Sequence, residues 1–381
     1  MNAPNDVSAR AVDTSALPVP AQRMLADTAP APLRLMGARG IAPGLKPDAI
    51  VTLICAFAED SNPELAQTAR ETLANLPEPM LQGALATDLQ ARVLELIAET
   101  HHAEASVVSR LLGARYITSE ALELVAQKAT ENIGEVVAAS DSVLLRFPRV
   151  IEKLYLNKRV RMSTADRLVD LAVRNKLELN IPAFKQAAAA IQNQLIPEAT
   201  EEPCFDDELF KQVDELTAQL SVDEEEDTHE VNDEGEEEVK RKYVPLYAQL
   251  GNMTVSQKIR RATLGTGPER MLLVRDRNRL VATAAAQSPM LKENEATLIA
   301  ASRSVIDDVL RVIAQNKDFT RLHQVKLNLV SNPRTPFSFS SRLVPLLRDN
   351  DLKTLSKSKN ISGAILTSVR QQLDRKKKEK D

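Results

Sequence analysis

Aromatic residues, glycines and cysteines are scarce in this chain, and each scarcity removes a class of protein. Only 3% of the 381 residues are aromatic, which argues against sequence-specific RNA recognition by stacking of bases on exposed rings. Eleven glycines are too few for a dinucleotide fold or a β-rich barrel. The two cysteines, Cys55 in IVTLICAFA and Cys204, stand 149 positions apart, so neither a disulfide framework nor a CxxC metal knuckle is available. No run of about eighteen apolar residues occurs, and MNAPNDVSARAVDTSALPVP has no basic stretch leading into an apolar one. The expectation is a soluble protein of the reducing cytoplasm without a transmembrane segment. What is present is 43% apolar residues, too hydrophobic for a wholly disordered chain, and the ordered parts are expected to be helical.

The net charge of −4, from 49 basic and 53 acidic residues, conceals three blocks. Residues 1–197 carry 20 basic and 22 acidic groups, residues 198–239 carry 1 and 19, and residues 240–381 carry 28 and 12. The middle block includes SVDEEEDTHEVNDEGEEEV, without a single Lys or Arg. Mutual repulsion and few large apolar groups predict an extended, solvated linker there. It fits no EF-hand frame, and it offers a polyanion that competes for the basic surface of the same chain. The expected division is a disordered arm over 1–47, which holds seven prolines, a helical-repeat domain over 48–197, an acidic linker over 198–242, a basic helical-repeat domain over 243–373, and a basic tail over 374–381.

Helix starts are legible within both domains. Asn62-Pro63-Glu64 places an N-cap residue, a first-turn proline and an acid in order, and Thr254-Val255-Ser256-Gln257 has the spacing of a capping box. Ser304 and Asp307 have a related spacing. The apolar runs that follow, such as Ile306, Leu310 and Ile313, are too short to be stable alone and must stack. Segments with an aliphatic end and a small polar anchor recur as VATAAAQSP, TLIAASRSV, RVIAQNKDF and LNLVSNPRT, anchored by Ser288, Ser302, Asn316 and Asn332 at spacings of 14, 14 and 16. LVAQKATEN, VVAASDSV and KLYLNKRV repeat the idea earlier, with wider spacings between Ser140, Asn157 and Asn175. A recurring unit of this length signals stacked helix pairs.

This texture resembles HEAT-like and leucine-rich-variant α-solenoids over roughly residues 50–195 and 250–373. The resemblance implies an all-α fold of two irregular α-solenoid units joined by the acidic disordered linker. The anchors read as helix caps and close-packing residues rather than a catalytic row.

Candidate polyanion-binding residues are Lys258, Arg260, Arg261, Arg275, Arg277, Arg279, Lys353 and Lys357, with Arg303 and the tail lysines Lys376, Lys377 and Lys378 adding to the field. At helical spacing Arg275 and Arg279 would project together and Arg277 elsewhere. No catalytic, cofactor-binding or metal-binding residue is expected. His101 and His102 are adjacent and diverge on a helix. Leu264-Gly265-Thr266-Gly267-Pro268 lacks the lysine of a phosphate loop and reads as a helix connection. The expected function is a non-enzymatic adaptor or scaffold that binds a protein partner through an extended helical surface. The alternative is nucleic-acid or other polyanion binding by the basic domain, restrained by the acidic linker. Phe337 and Phe339 are candidate exposed anchors.

Overall fold

A computed structural model describes residues 11–192, 202–219, 227–232, 235–358 and 361–378. Within these residues the regular secondary structure is helical apart from one short hairpin. The chain divides into two units, Met1–Leu179 and Asn180–Asp381. No helix among the described residues is long and apolar enough to cross a membrane.

The first unit opens with α1 (Val19–Leu25), α2 (Ala31–Ala38), α3 (Pro47–Ala58) and α4 (Pro63–Ala74). It continues with α5 (Glu78–Leu85), α6 (Ala91–His101), α7 (Ala105–Leu112) and α8 (Ser119–Lys128). It closes with α9 (Glu131–Ala138), α10 (Asp141–Arg146), α11 (Pro148–Leu156) and α12 (Met162–Arg174). Helices this short are marginal alone, and their stability comes from neighbours. Two series of contacts supply it: α5 packs on α7, α7 on α9 and α9 on α12, while α4 packs on α6, α6 on α8 and α8 on α11. Leu53, Ile54, Phe57, Leu94, Ile97 and Leu154 are among the enclosed side chains, each contributing about 1.5–3 kcal/mol relative to exposure.

The expectation of a disordered arm over 1–47 is corrected over its described part. The prolines that obscure any helical period stand at helix starts: Pro18 precedes α1, Pro30 precedes α2 and Pro47 opens α3, positions where a missing N–H costs nothing. Val12, Leu17, Ala21 and Met24 are buried, and the backbone amides of Val12 and Asp13 donate to Glu59 (3.1 Å) and Gln90 (2.8 Å). Residues 1–10 lie outside the described residues.

The second unit contains α13 (Phe184–Ile191), α14 (Phe205–Gln219), the hairpin strands β1 (His229–Val231) and β2 (Glu237–Val239), and α15 (Val244–Asn252). Then come α16 (Val255–Leu264), α17 (Gly267–Leu273), α18 (Arg279–Ala286), α19 (Glu293–Ala301) and α20 (Asp307–Gln315). The last elements are α21 (Lys317–Arg321), α22 (His323–Ser331), α23 (Phe337–Leu343), α24 (Asp349–Lys357) and α25 (Gly363–Lys378). Contacts again link alternate helices: α13 to α16, α16 to α18 and α18 to α20, with α17 to α19 and α19 to α22.

Here too the expected linker over 198–242 differs from what is observed. α14 lies inside it and buries Leu209, Phe210 and Val213. Asp206, Asp207 and Glu208 of the acidic block stand in its first turn, where the helix dipole favours negative charge. Residues 198–201, 220–226 and 233–234 of that stretch, and 379–381 of the tail, lie outside the described residues.

The two cap signals appear as expected: Asn62 accepts from the Glu64 amide, and Thr254 and Gln257 form a capping box. Ser304, in contrast, caps nothing; α20 starts after Ile306 with Asp307 and Asp308 in its first turn. Several anchors do more than cap. Asn332, after α22, donates to the carbonyls of Ala300 (3.0 Å) and Ser302 (2.7 Å) at the end of α19. Asn157, after α11, donates to Ala126 (3.0 Å) and Ala129 (2.8 Å) at the end of α8. Ser288 does the same to Thr263 of α16 (3.0 Å), and the His101 Nε2 to Leu73 of α4 (2.8 Å). The final carbonyls of a helix lack partners within it, and in each case a side chain from the end of a helix packed beside it satisfies them.

Candidate functional site

A convergence of polar groups that includes a sequence-predicted residue lies in the second unit, around Arg275. This residue follows α17, and its side chain is only 4% exposed. Its Nη1 donates back to the Met271 carbonyl (2.9 Å), its Nη2 to Asp227 (3.0 Å) and its Nε to Glu237 Oε2 (3.1 Å). The connection after α19 completes the site. Ser304 Oγ lies 2.7 Å from Glu237 Oε2, Ser302 Oγ lies 2.7 Å from the same oxygen, and the Arg303 amide donates to Oε1 (2.7 Å). One carboxylate is thus held by two hydroxyls, a main-chain N–H and a guanidinium.

Burial of Glu237 acts to raise its pKa, but the hydrogen bonds from Ser304, Ser302 and the Arg303 amide, with the charge of Arg275, outweigh it and hold the group at about 2. Beside it, His229 is lowered to about 4, by burial first and by Arg275 second, against the opposing pull of Asp227 and Glu237. Both shifts act on the hairpin in one direction. Released from the site, His229 takes up a proton near its ordinary 6.5, so seating weakens as the pH falls from about 6.5 towards 4. Glu237 adds a second loss between 4.5 and about 2. The His229 ring is therefore expected to titrate near pH 4 by NMR in the intact chain, and to return towards 6.5 when Arg275→Ala and Glu237→Gln are combined. A midpoint unmoved by that double change would contradict the seating described here.

The hairpin that brings Glu237 to the site is slight. Its strands are three residues each, with Glu230 directly opposite Glu238, a like-charge pairing that weakens a sheet. Gly235 turns the chain at φ +82°, a conformation that favours glycine.

The other predicted basic residues do not share this place. Arg261 is 2% exposed and binds Glu269 through Nε (2.9 Å) and Nη2 (2.7 Å), with Nη1 on Asp214 of α14 (2.6 Å). Arg260 is fully buried, its guanidinium over the Phe210 ring. Lys258 pairs with Asp276 at 3.0 Å. Arg279 is exposed and pairs with Asp308 at 2.5 Å, so it does not project with the inward Arg275. Arg277, Lys353 and Lys357 are exposed. The eight therefore do not make one patch: Arg260, Arg261 and Arg275 are interior because acids and an aromatic ring remote in sequence enclose them. Lys376 of the tail reaches Asp349 and the Leu347 carbonyl, both at 3.0 Å.

A second polar cluster occupies the glycine-containing connection. Arg270 grips Glu295 with Nε (3.0 Å) and Nη2 (2.7 Å) and the Gly265 carbonyl with Nη1 (2.6 Å). Glu269 also accepts from Thr217 Oγ1 at 2.8 Å. The acidic partners Glu237, Glu269 and Glu295 escaped the sequence reading. Close glycines at 265 and 267 were the one local signal for the last two, since side chains there would meet Glu269 and Glu295. The histidine pair diverges as expected: His101 is buried between Leu73 and Glu104, while His102 Nδ1 meets the Glu99 carbonyl. Phe337 is exposed and Phe339 half-buried.

In comparisons with known proteins, no family model matches the chain, and no curated protein or solved structure matches it significantly.

Proposed function

We propose that the chain is a non-enzymatic adaptor or scaffold, built on HEAT-like helical repeats of the α-solenoid kind, that binds a protein partner. The observation that carries this reading is the recurring bond from the end of one helix to the last carbonyls of a helix beside it, made by His101, Asn157, Ser288 and Asn332. Such neighbour-to-neighbour stabilisation is the economy of repeat proteins, which leave extended faces for recognition. The buried acids Glu269 and Glu295 are taken up by arginines, which favours a structural role for them over acid/base chemistry. Exposed aromatics such as Tyr247 and Phe337 are suitable anchors. The tagged full chain is expected to retain a defined protein in stoichiometric amount at about 0.15 M salt, and Phe337→Asp combined with Tyr247→Asp to release it. Failure to retain one, or retention unaffected by both changes, counts against the adaptor.

Polyanion binding by the basic part, restrained by the acidic stretch, is the second reading. It is favoured by the pairing of Asp227 and Glu237 with Arg275, and disfavoured by the enclosure of Arg260 and Arg261.

A further inference from the structure

The seat of Glu237 is built largely outside the hairpin that fills it; the exception is Asp227, just ahead of β1, which accepts from Arg275 Nη2 (3.0 Å). The Ser302 carbonyl is held by Asn332 Nδ2 (2.7 Å). Arg334 Nη1 donates to the carbonyls of Ser304 (3.3 Å) and Val305 (2.9 Å). Arg275 is anchored on the preceding helix, α17, through the Met271 carbonyl. Removing Glu237 would leave two hydroxyls, an amide and a guanidinium aimed at one point, a donor set suited to a carboxylate. The occupant, in contrast, rides on two three-residue strands, and an isolated hairpin of that size is marginal in water.

We propose that Arg275, Ser302, Ser304 and the Arg303 amide form a receptor for a glutamate side chain on an acidic segment of a partner protein, and that Glu237 is the internal occupant which that segment displaces. The proposal rests on the adaptor reading and names the chemistry of the partner. A carboxylate is favoured because one already accepts from Arg275 Nε, both serine hydroxyls and the Arg303 amide at 2.7–3.1 Å. The acidic hairpin shares a chain with its seat, so it competes at a high effective concentration, and an external segment binds well only once Glu237 is displaced or removed.

The test uses the full chain and fluorescence anisotropy with two labelled peptides: residues 227–240 of this sequence, and a glutamate-rich peptide of unrelated sequence. Glu237→Gln in the protein is expected to tighten both peptides by at least about tenfold over the unaltered chain, by removing the internal competitor. Adding Ser302→Ala with Ser304→Ala, or Arg275→Lys where the serine variant loses its helical circular dichroism, should abolish that gain. A 227–240 peptide carrying Gln in place of Glu237 should not show it. Equal binding to the unaltered chain and to Glu237→Gln overturns the proposal, as does a gain that survives loss of the seat. Binding of the 227–240 peptide without the unrelated acidic peptide also overturns it, since the site is then only the hairpin's own seat. Retention of a stoichiometric partner without peptide binding defeats this inference and leaves the adaptor reading standing.

Discussion

Arg270→Ala is expected to destabilise the second unit by about 3–5 kcal/mol, the usual cost of removing one partner of a buried pair. Arg270 and Glu295 are each about 3% exposed and are joined by two parallel N–H to oxygen bonds of 3.0 and 2.7 Å. Without the guanidinium, Glu295 is left as an enclosed carboxylate at the start of α19, and the Gly265 carbonyl loses a 2.6 Å donor. The loss measures the isolation of Glu295 more than the net value of the pair, because forming the pair already required stripping water from two charges. Arg270→Met with Glu295→Leu should therefore recover most of the stability. Urea unfolding of the full chain, with hydrogen exchange in α17 and α19 locating the loss, would check both. A single-variant loss below about 1 kcal/mol would place the pair among solvent-exposed ones.

The second large effect is expected from a single methyl group. Gly265 has an ordinary φ of −68°, so alanine there is not strained in its backbone; it lacks room. An added Cβ would lie 2.0 Å from Glu269 Oε2 and 2.4 Å from the Arg261 carbonyl. That carboxylate is already fixed by Arg261 and Thr217, so it cannot yield cheaply. Gly265→Ala should cost about 3 kcal/mol, at the upper end of overpacking. Gly251, in α15, has nothing within 4 Å of such a Cβ, and Gly251→Ala should instead stabilise by about 0.5–1 kcal/mol through helix propensity. Thermal unfolding of the two variants should move in opposite directions. Equal shifts would mean that the enclosed acid does not control the position.

These two cases show where local reading ends. The glycines of Leu264–Pro268 were legible as a connection between helices, but not the internal carboxylate of Glu269 that lies close beside Gly265. The capping box at Thr254 could be read from four residues because its bonds are made within one turn. Asn157 and Asn332 were recognisable as recurring anchors, yet their partners lie about thirty positions earlier, and helical periodicity says nothing about which neighbour a helix end will meet. The first described residues and α14 were misread for a related reason: their apolar groups are few, and they count only when a ready-made surface completes the burial.

The sequence alone determined that short helices would predominate, where several begin, and that charge is segregated along the chain, because these depend on spacing and composition. Which arginines face inward was decided by the tertiary structure. Arg260 and Arg277 carry the same charge in the same basic stretch, but one is enclosed beneath Phe210 and the other is open to water. A charge takes its role from the dielectric and the partners around it, and for Arg275 those partners come from a hairpin 38 and 48 positions earlier.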